Sequence, residues 1–152
     1  MGNKLSNLEE ANSFIDRREG IDIFLKSKIY ETSPMENLKQ SNFLNQVIQI
    51  DTDIKPLELL RIIKNIENTM GRIENRERYM PRIIDIDILA YQDLILNNEI
   101  LCIPHPKIKF RKFILKPWTD IAPNYILPNS KSSIKQLLNR ISNLKDEVRK
   151  YN

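Results

Sequence analysis

The chain opens on a helical repeat. Leu8, Ala11, Phe14 and Ile15 recur at three- and four-residue spacing, which predicts an amphipathic helix over 6–18. Ser6-Asn7-Leu8-Glu9 reads as a capping box at its start, since Glu9 can reach back to the N-cap amide. After Gly20 the period changes to two. Ile21, Ile23 and Leu25 alternate with Asp22, Phe24 and Lys26, and the pattern continues to Ile29 and Tyr30, which predicts a strand. Residues 31–42 are polar, contain Ser33-Pro34, and read as a loop. Phe43 to Ile50 alternates again and predicts a second strand. Pro56 suits the first turn of a helix over 56–70, Leu59, Ile62, Ile63, Ile66 and Met70 form its apolar stripe, and Gly71 is placed to end it. Residues 71–82 carry Arg72, Arg76, Arg78 and Arg82 without an apolar period and read as a basic loop. Alternation returns from Ile83 to Tyr91 and predicts a strand, with shorter strands near 94–96 and 100–103. Pro104-His105-Pro106 is a rigid turn, a short helix is expected over 111–118, and Ser132 or Ser133 caps a last helix running to 148.

This order of helix, strand, strand, helix and strand, with an α/β piece appended, predicts an α+β fold: an antiparallel sheet with helices on one face. The 152 residues suffice for one compact domain, 1–152, and show no repeat or low-complexity linker. The three glycines, Gly2, Gly20 and Gly71, leave no glycine cradle of Rossmann or Walker type. One cysteine, Cys102, excludes an internal disulfide and a cysteine zinc cluster, and one histidine, His105, excludes a two-histidine metal site. A net charge of +4 and a pI near 9.2 suit an anionic partner such as a nucleotide. The amino terminus has no apolar signal region, and no uncharged apolar run approaches the ~18–20 residues that span a bilayer, so no membrane association and a cytoplasmic location are expected.

Candidate chemistry concentrates in Pro81-Arg82-Ile83-Ile84-Asp85-Ile86-Asp87-Ile88-Leu89. On a strand Ile84, Ile86 and Ile88 share one face and Asp85 and Asp87 the other, the carboxylate-bearing positions about 6–7 Å apart. Two hard oxygen donors so placed suit Mg²⁺, which takes one or two carboxylates together with substrate phosphates. The plainer reading is the solvent face of an edge strand. Four arginines just before the pair favour phosphate chemistry, because guanidinium groups match phosphate oxygens while metal bridges the charge. A solvated loop self-paired through Glu74 and Glu77 is the alternative. His105, followed by Lys107, Lys109, Arg111 and Lys112, could donate to a phosphate or act as an ordinary hydrogen-bonding residue. Phe43 and Phe113 could stack on a flat heterocycle or pack in the core, and Asn45 offers donors and an acceptor beside Phe43.

Glu67…Gly71-Arg72…Arg78-Tyr79-Met80-Pro81-Arg82-Ile83-Ile84-Asp85-Ile86-Asp87 resembles the signature of the 6-hydroxymethyl-7,8-dihydropterin pyrophosphokinase family of folate biosynthesis. Tyr30…Thr32-Ser33-Pro34, Phe43-Leu44-Asn45, Pro104-His105-Pro106…Arg111-Lys112-Phe113 and Leu115-Lys116-Pro117…Ile121-Ala122-Pro123 extend the match over nearly the whole chain. The resemblance implies a ferredoxin-like sheet with additional strands and helices. It implies transfer of pyrophosphate from ATP to the pterin hydroxymethyl oxygen, with AMP released. By position, Asp85 and Asp87 would hold two Mg²⁺ ions, and Arg72 and Arg82 would act on the migrating group. Glu67, Arg72, Arg78, Ile88, His105 and Arg111 would contact ATP. Thr32, Ser33, Phe43, Asn45, Asp85 and Phe113 would line the pterin pocket. The expected partners are these small molecules, with no nucleic acid, and the expected state is a monomer.

Three departures stand out. Tyr79-Met80 replaces the family's Trp-Gly, Glu74 stands where many members carry a basic residue, and Met1-Gly2-Asn3-Lys4 aligns just after the family's G-S-N. The family's first core strand is therefore expected to be missing from this chain, with the natural start upstream. A nucleic-acid module on similar layers is a rival reading, but no RNP1-like pattern is present and an aspartate pair repels a nucleic-acid backbone unless metal-bound. An inactive relative that keeps ligand binding alone is the other.

Overall fold

The computed structural model describes residues 3–33, 42–71, 83–143 and 147–152. They carry four α-helices, short strands and one 3₁₀ turn, an α+β arrangement as predicted. The chain divides into two compact units, Met1–Ile23 with Ile50–Asp87, and Phe24–Gln49 with Ile88–Asn152.

In the first unit, helix α1 (Lys4–Asp16) starts two residues before its predicted position because Asn3 is the N-cap. The Asn3 Oδ1 accepts from Leu5 N at 3.1 Å and Ser6 N at 3.2 Å. Ser6 and Glu9 consequently lie inside the helix, and the capping box expected there is corrected. A side-chain oxygen two residues ahead of the first orphan amides satisfies them sooner. Leu8, Ala11 and Ile15 form the buried face of α1, which packs on α2 (Pro56–Thr69). Helix α2 follows its prediction, with Pro56 in the first turn and Leu59, Ile63 and Ile66 buried. Each such aliphatic side chain stabilises the unit by about 1.5–3 kcal/mol. The exit from α2 requires Gly71, which has φ +99°, a left-handed value that disfavours side chains, and a Cβ there would lie 2.8 Å from Ile83 Cδ1.

The strands predicted over 21–30 and 43–50 are each broken once. The first becomes β1 (Asp22–Lys26) and β2 (Tyr30–Thr32), the second β3 (Phe43–Asn45) and β4 (Ile48–Asp51). β1 pairs with β4, and β2 pairs antiparallel with β3, placing Tyr30 opposite Asn45 and Thr32 opposite Phe43. The two breaks face each other. Ser27 N donates to Val47 O at 2.9 Å, Val47 N to Ser27 Oγ at 3.0 Å, and Gln46 Nε2 to Ser27 O at 2.9 Å. A serine hydroxyl thus substitutes for a ladder acceptor, a local competition that a period-two pattern does not register.

The second unit also corrects the carboxyl terminus. Ser133 and Gln136 form a reciprocal capping box, but α4 (Ile134–Arg140) stops well short of 148. Val148–Lys150 is instead a strand, β7, antiparallel to β2 with Thr32 opposite Val148. An available sheet edge outweighed helical propensity. The order of this sheet is β3-β2-β7, and α3 (Lys112–Ile121) lies against all three strands and against α4. Its core gathers Val47, Ile108, Ile114, Leu115, Trp118, Leu127, Ile134 and Leu137. β5 (Leu96–Asn97) and β6 (Cys102–Ile103) stand near the two short strands predicted at 94–96 and 100–103 and pair antiparallel with each other, and Ile103-Pro104 is a cis peptide. In place of one continuous sheet, the described residues carry three small ones. The strand predicted over 83–91 belongs to none of them, because alternation orients side chains whereas a ladder needs a partner backbone.

Candidate active site

Within the first unit, Asp85 and Asp87 are exposed while Ile84 and Ile86 are half-buried, so the alternation survives without a ladder. Ile86 N donates to Glu67 Oε1 at 2.8 Å. Glu67 stands on the last turns of α2 with no exposed surface, and its Oε2 is 3.0 Å from Lys64 Nζ. A buried carboxylate is tolerated only when its charge and lone pairs are compensated, and a lysine one turn earlier and a backbone amide do this here. The structure therefore gives Glu67 partners other than the ATP contact implied by the resemblance. Lys64 was not singled out in the sequence; its (i, i+3) spacing to Glu67 was the available signal.

In the second unit, Thr32, Phe43 and Asn45, three of the residues expected around a pterin, occupy the β2–β3 pair. Asn45 Nδ2 donates to Thr32 Oγ1 at 2.9 Å, and lies 3.5 Å from both Tyr30 O and Phe43 O. Thr32 is buried, Asn45 half-buried and Ser33 exposed, and Phe43 leaves 46% of its surface open. An aromatic ring that exposed is not core packing. Phe113, in the first turn of α3, is half-buried, and the Arg111 guanidinium carbon sits 5.4 Å from its ring centroid, a cation–π arrangement. His105 N donates to Leu89 O at 2.8 Å, and its Nδ1 accepts from Lys107 N at 3.2 Å. An accepting Nδ1 leaves the proton of a neutral ring on Nε2, a donor. Ile88 is buried. Arg72, Arg78 and Arg82, and the Tyr79-Met80 departure, lie outside the described residues.

The frame beneath β2 depends on a residue with no sequence signal. Asp120, near the end of α3, accepts from Lys28 N at 3.1 Å and from Tyr30 OH at 3.1 Å. Burial first, and then the hydrogen bond and charge of Asp120, push the Tyr30 hydroxyl up to about 12.

The donor chemistry divides cleanly. Two exposed carboxylates supply hard oxygen ligands, and one strand pair supplies an exposed ring beside a ring-edge amide. No group of three or more metal-ligating side chains occurs among the described residues, so any cation at Asp85 and Asp87 must draw its remaining ligands from substrate, water or elsewhere in the chain.

The family model for 7,8-dihydro-6-hydroxymethylpterin-pyrophosphokinase matches residues 1–123. "Folic acid synthesis protein FOL1" of Dictyostelium discoideum is 44% identical over 128 residues, covering 84% of this chain and 19% of that protein. The chain spans about a fifth of that relative's length. Two proteins named 2-amino-4-hydroxy-6-hydroxymethyldihydropteridine pyrophosphokinase match over most of their own length. That of Methylorubrum extorquens is 36% identical over 127 residues, covering 84% of this chain and 80% of the relative. That of Aquifex aeolicus is 36% identical over 136 residues, covering 90% and 83%. By that match and these identities, the chain belongs to the 7,8-dihydro-6-hydroxymethylpterin-pyrophosphokinase family.

Proposed function

We propose that this protein transfers the β,γ-diphosphoryl group of ATP to the hydroxymethyl oxygen of 6-hydroxymethyl-7,8-dihydropterin. The observation that carries the reading is the exposed Asp85/Asp87 pair inside the family match. The pterin oxygen attacks the β-phosphorus in line, the bond from that phosphorus to the α–β bridging oxygen breaks, and AMP departs with the bridging oxygen while the hydroxyl proton is released. Such chemistry asks the protein chiefly for alignment and charge neutralisation.

Asp85 and Asp87 would hold Mg²⁺, and their hard, exposed oxygens fit that ion. Bound there, the two Mg²⁺ ions expected would supply positive charge to neutralise the phosphates. Arg72 and Arg82 would stabilise the migrating group, and Arg78, His105 and Arg111 would bind ATP, His105 through its Nε2 proton. Phe43 and Phe113 would stack on the pterin while Asn45 reads its edge, held in orientation by Thr32. The finer fold reading is a ferredoxin-like sheet. No helix of the described residues is long and apolar enough to cross a membrane. A cytoplasmic monomer acting on small molecules completes the reading. The test is nucleotide analysis with ATP, Mg²⁺ and the pterin alcohol. AMP that forms only with the pterin present supports the reading, and AMP without it, or none at all, overturns it.

A further inference from the structure

We propose that Glu67 is a positioning residue that sets the presentation of Asp85 and Asp87 by holding the amide of the residue between them. The inference rests on the reading of that aspartate pair as a cation site. Residues 83–91 join no ladder among the described residues, so the Ile86 N–H, which would otherwise face a neighbouring strand, ends on the Glu67 carboxylate at 2.8 Å. That carboxylate is wholly buried on a helix and steadied by Lys64 at 3.0 Å, so its position is dictated by α2. Because successive side chains alternate, fixing Ile86 inward turns both flanking carboxylates outward, and a slip of one residue would bury them. One charge-assisted bond thereby fixes two ligands, the kind of support whose loss weakens metal sites about 10–100-fold.

The experiment compares Glu67→Leu, Glu67→Gln and Glu67→Asp in the full chain. It reads hydrogen exchange at the Ile86 amide, Mn²⁺ binding in the presence of ATP by electron paramagnetic resonance, and ATP binding without divalent metal. Glu67→Leu removes the acceptor and is expected to speed Ile86 exchange and weaken Mn²⁺ binding about 10–100-fold. Metal-free ATP affinity should be unchanged. Glu67→Gln keeps an acceptor oxygen and should restore Mn²⁺ binding to within about threefold, an effect of order one neutral hydrogen bond. Where the leucine variant fails to fold, Glu67→Asp, which withdraws the acceptor by a methylene but keeps the charge, should show the same weakening. Mn²⁺ affinity at the wild-type level in a folded leucine or aspartate variant overturns the proposal. So does a loss of metal-free ATP affinity in the glutamine variant, which would make Glu67 an ATP ligand. Asp85→Asn serves as the separate control: if it leaves Mn²⁺ binding intact, the reading of the aspartate pair fails, whatever Glu67 does.

Discussion

Residues 84–87 and the β2–β3 pair both carry candidate site residues, but they are held by different forces. β2 has a strand on either side, β3 and β7, and α3 lies against it, with Asp120 tying Lys28 and Tyr30 to that helix. Thr32 and Asn45 are therefore placed by a ladder whose bonds share the load. Asp85 and Asp87 sit in a segment that joins no ladder among the described residues, and Ile86 between them meets Glu67. A ladder tolerates the loss of one bond because neighbouring bonds maintain register, a redundancy that a segment outside any ladder lacks. The residues proposed to meet the pterin accordingly sit on a hydrogen-bonded frame, while the residue between the two aspartates is held by a buried charge.

The sharpest way to break this comparison is at the aspartates themselves. Asp85→Ala should reduce turnover by about 10³-fold or more, the equivalent of several kcal/mol of lost charge stabilisation, in an AMP-release assay. Its melting temperature should barely move because the side chain is exposed. A large loss of stability would place the residue in the structural frame instead. Next comes the core under the β3-β2-β7 sheet. Leu115 has no exposed surface, and Leu115→Ala should lower stability by about 2–5 kcal/mol in denaturant unfolding. Asn45→Ala probes the load-sharing of the frame. It should raise the pterin KM about tenfold, roughly one hydrogen bond, with a smaller change in kcat. An equal fall in kcat would show that the ladder alone does not hold the pocket.

The smallest effect is a pH dependence. Tyr30 is raised from the usual 10 to about 12, so the folded state holds its proton more tightly than the unfolded chain. That contribution is complete below pH 10 and is lost as the pH rises towards 12. Thermal melts of the wild type should therefore fall more steeply over pH 10–12 than those of Tyr30→Phe. Parallel curves would remove Tyr30 and Asp120 from the account of how β2 is held.

Local pattern was sufficient for several features. Residue spacing placed α2 and its buried stripe, since a 3.6-residue period with a leading Pro56 leaves little choice. Alternation correctly put Ile84 and Ile86 on the inner side and Asp85 and Asp87 on the outer. The aspartates, Phe43 and Asn45 were legible as candidates from their own chemistry, and Thr32 only through the family resemblance. Other features required partners distant in sequence. The breaks at Ser27 and Val47 arise from a hydroxyl meeting a backbone 20 residues away, and the Asp120–Tyr30 bond spans 90. β7 formed where a helical continuation was expected because β2 offered an edge. The family resemblance implies a nucleotide contact for Glu67, whereas its burial and its bond to Ile86 are visible only once α2 and the aspartate segment are brought side by side. The sequence by itself determined which residues face inward and which carry charge, because side-chain periodicity is a local property of the backbone. The tertiary structure decided which backbone groups find partners, because hydrogen bonds between remote segments depend on packing that no local period encodes.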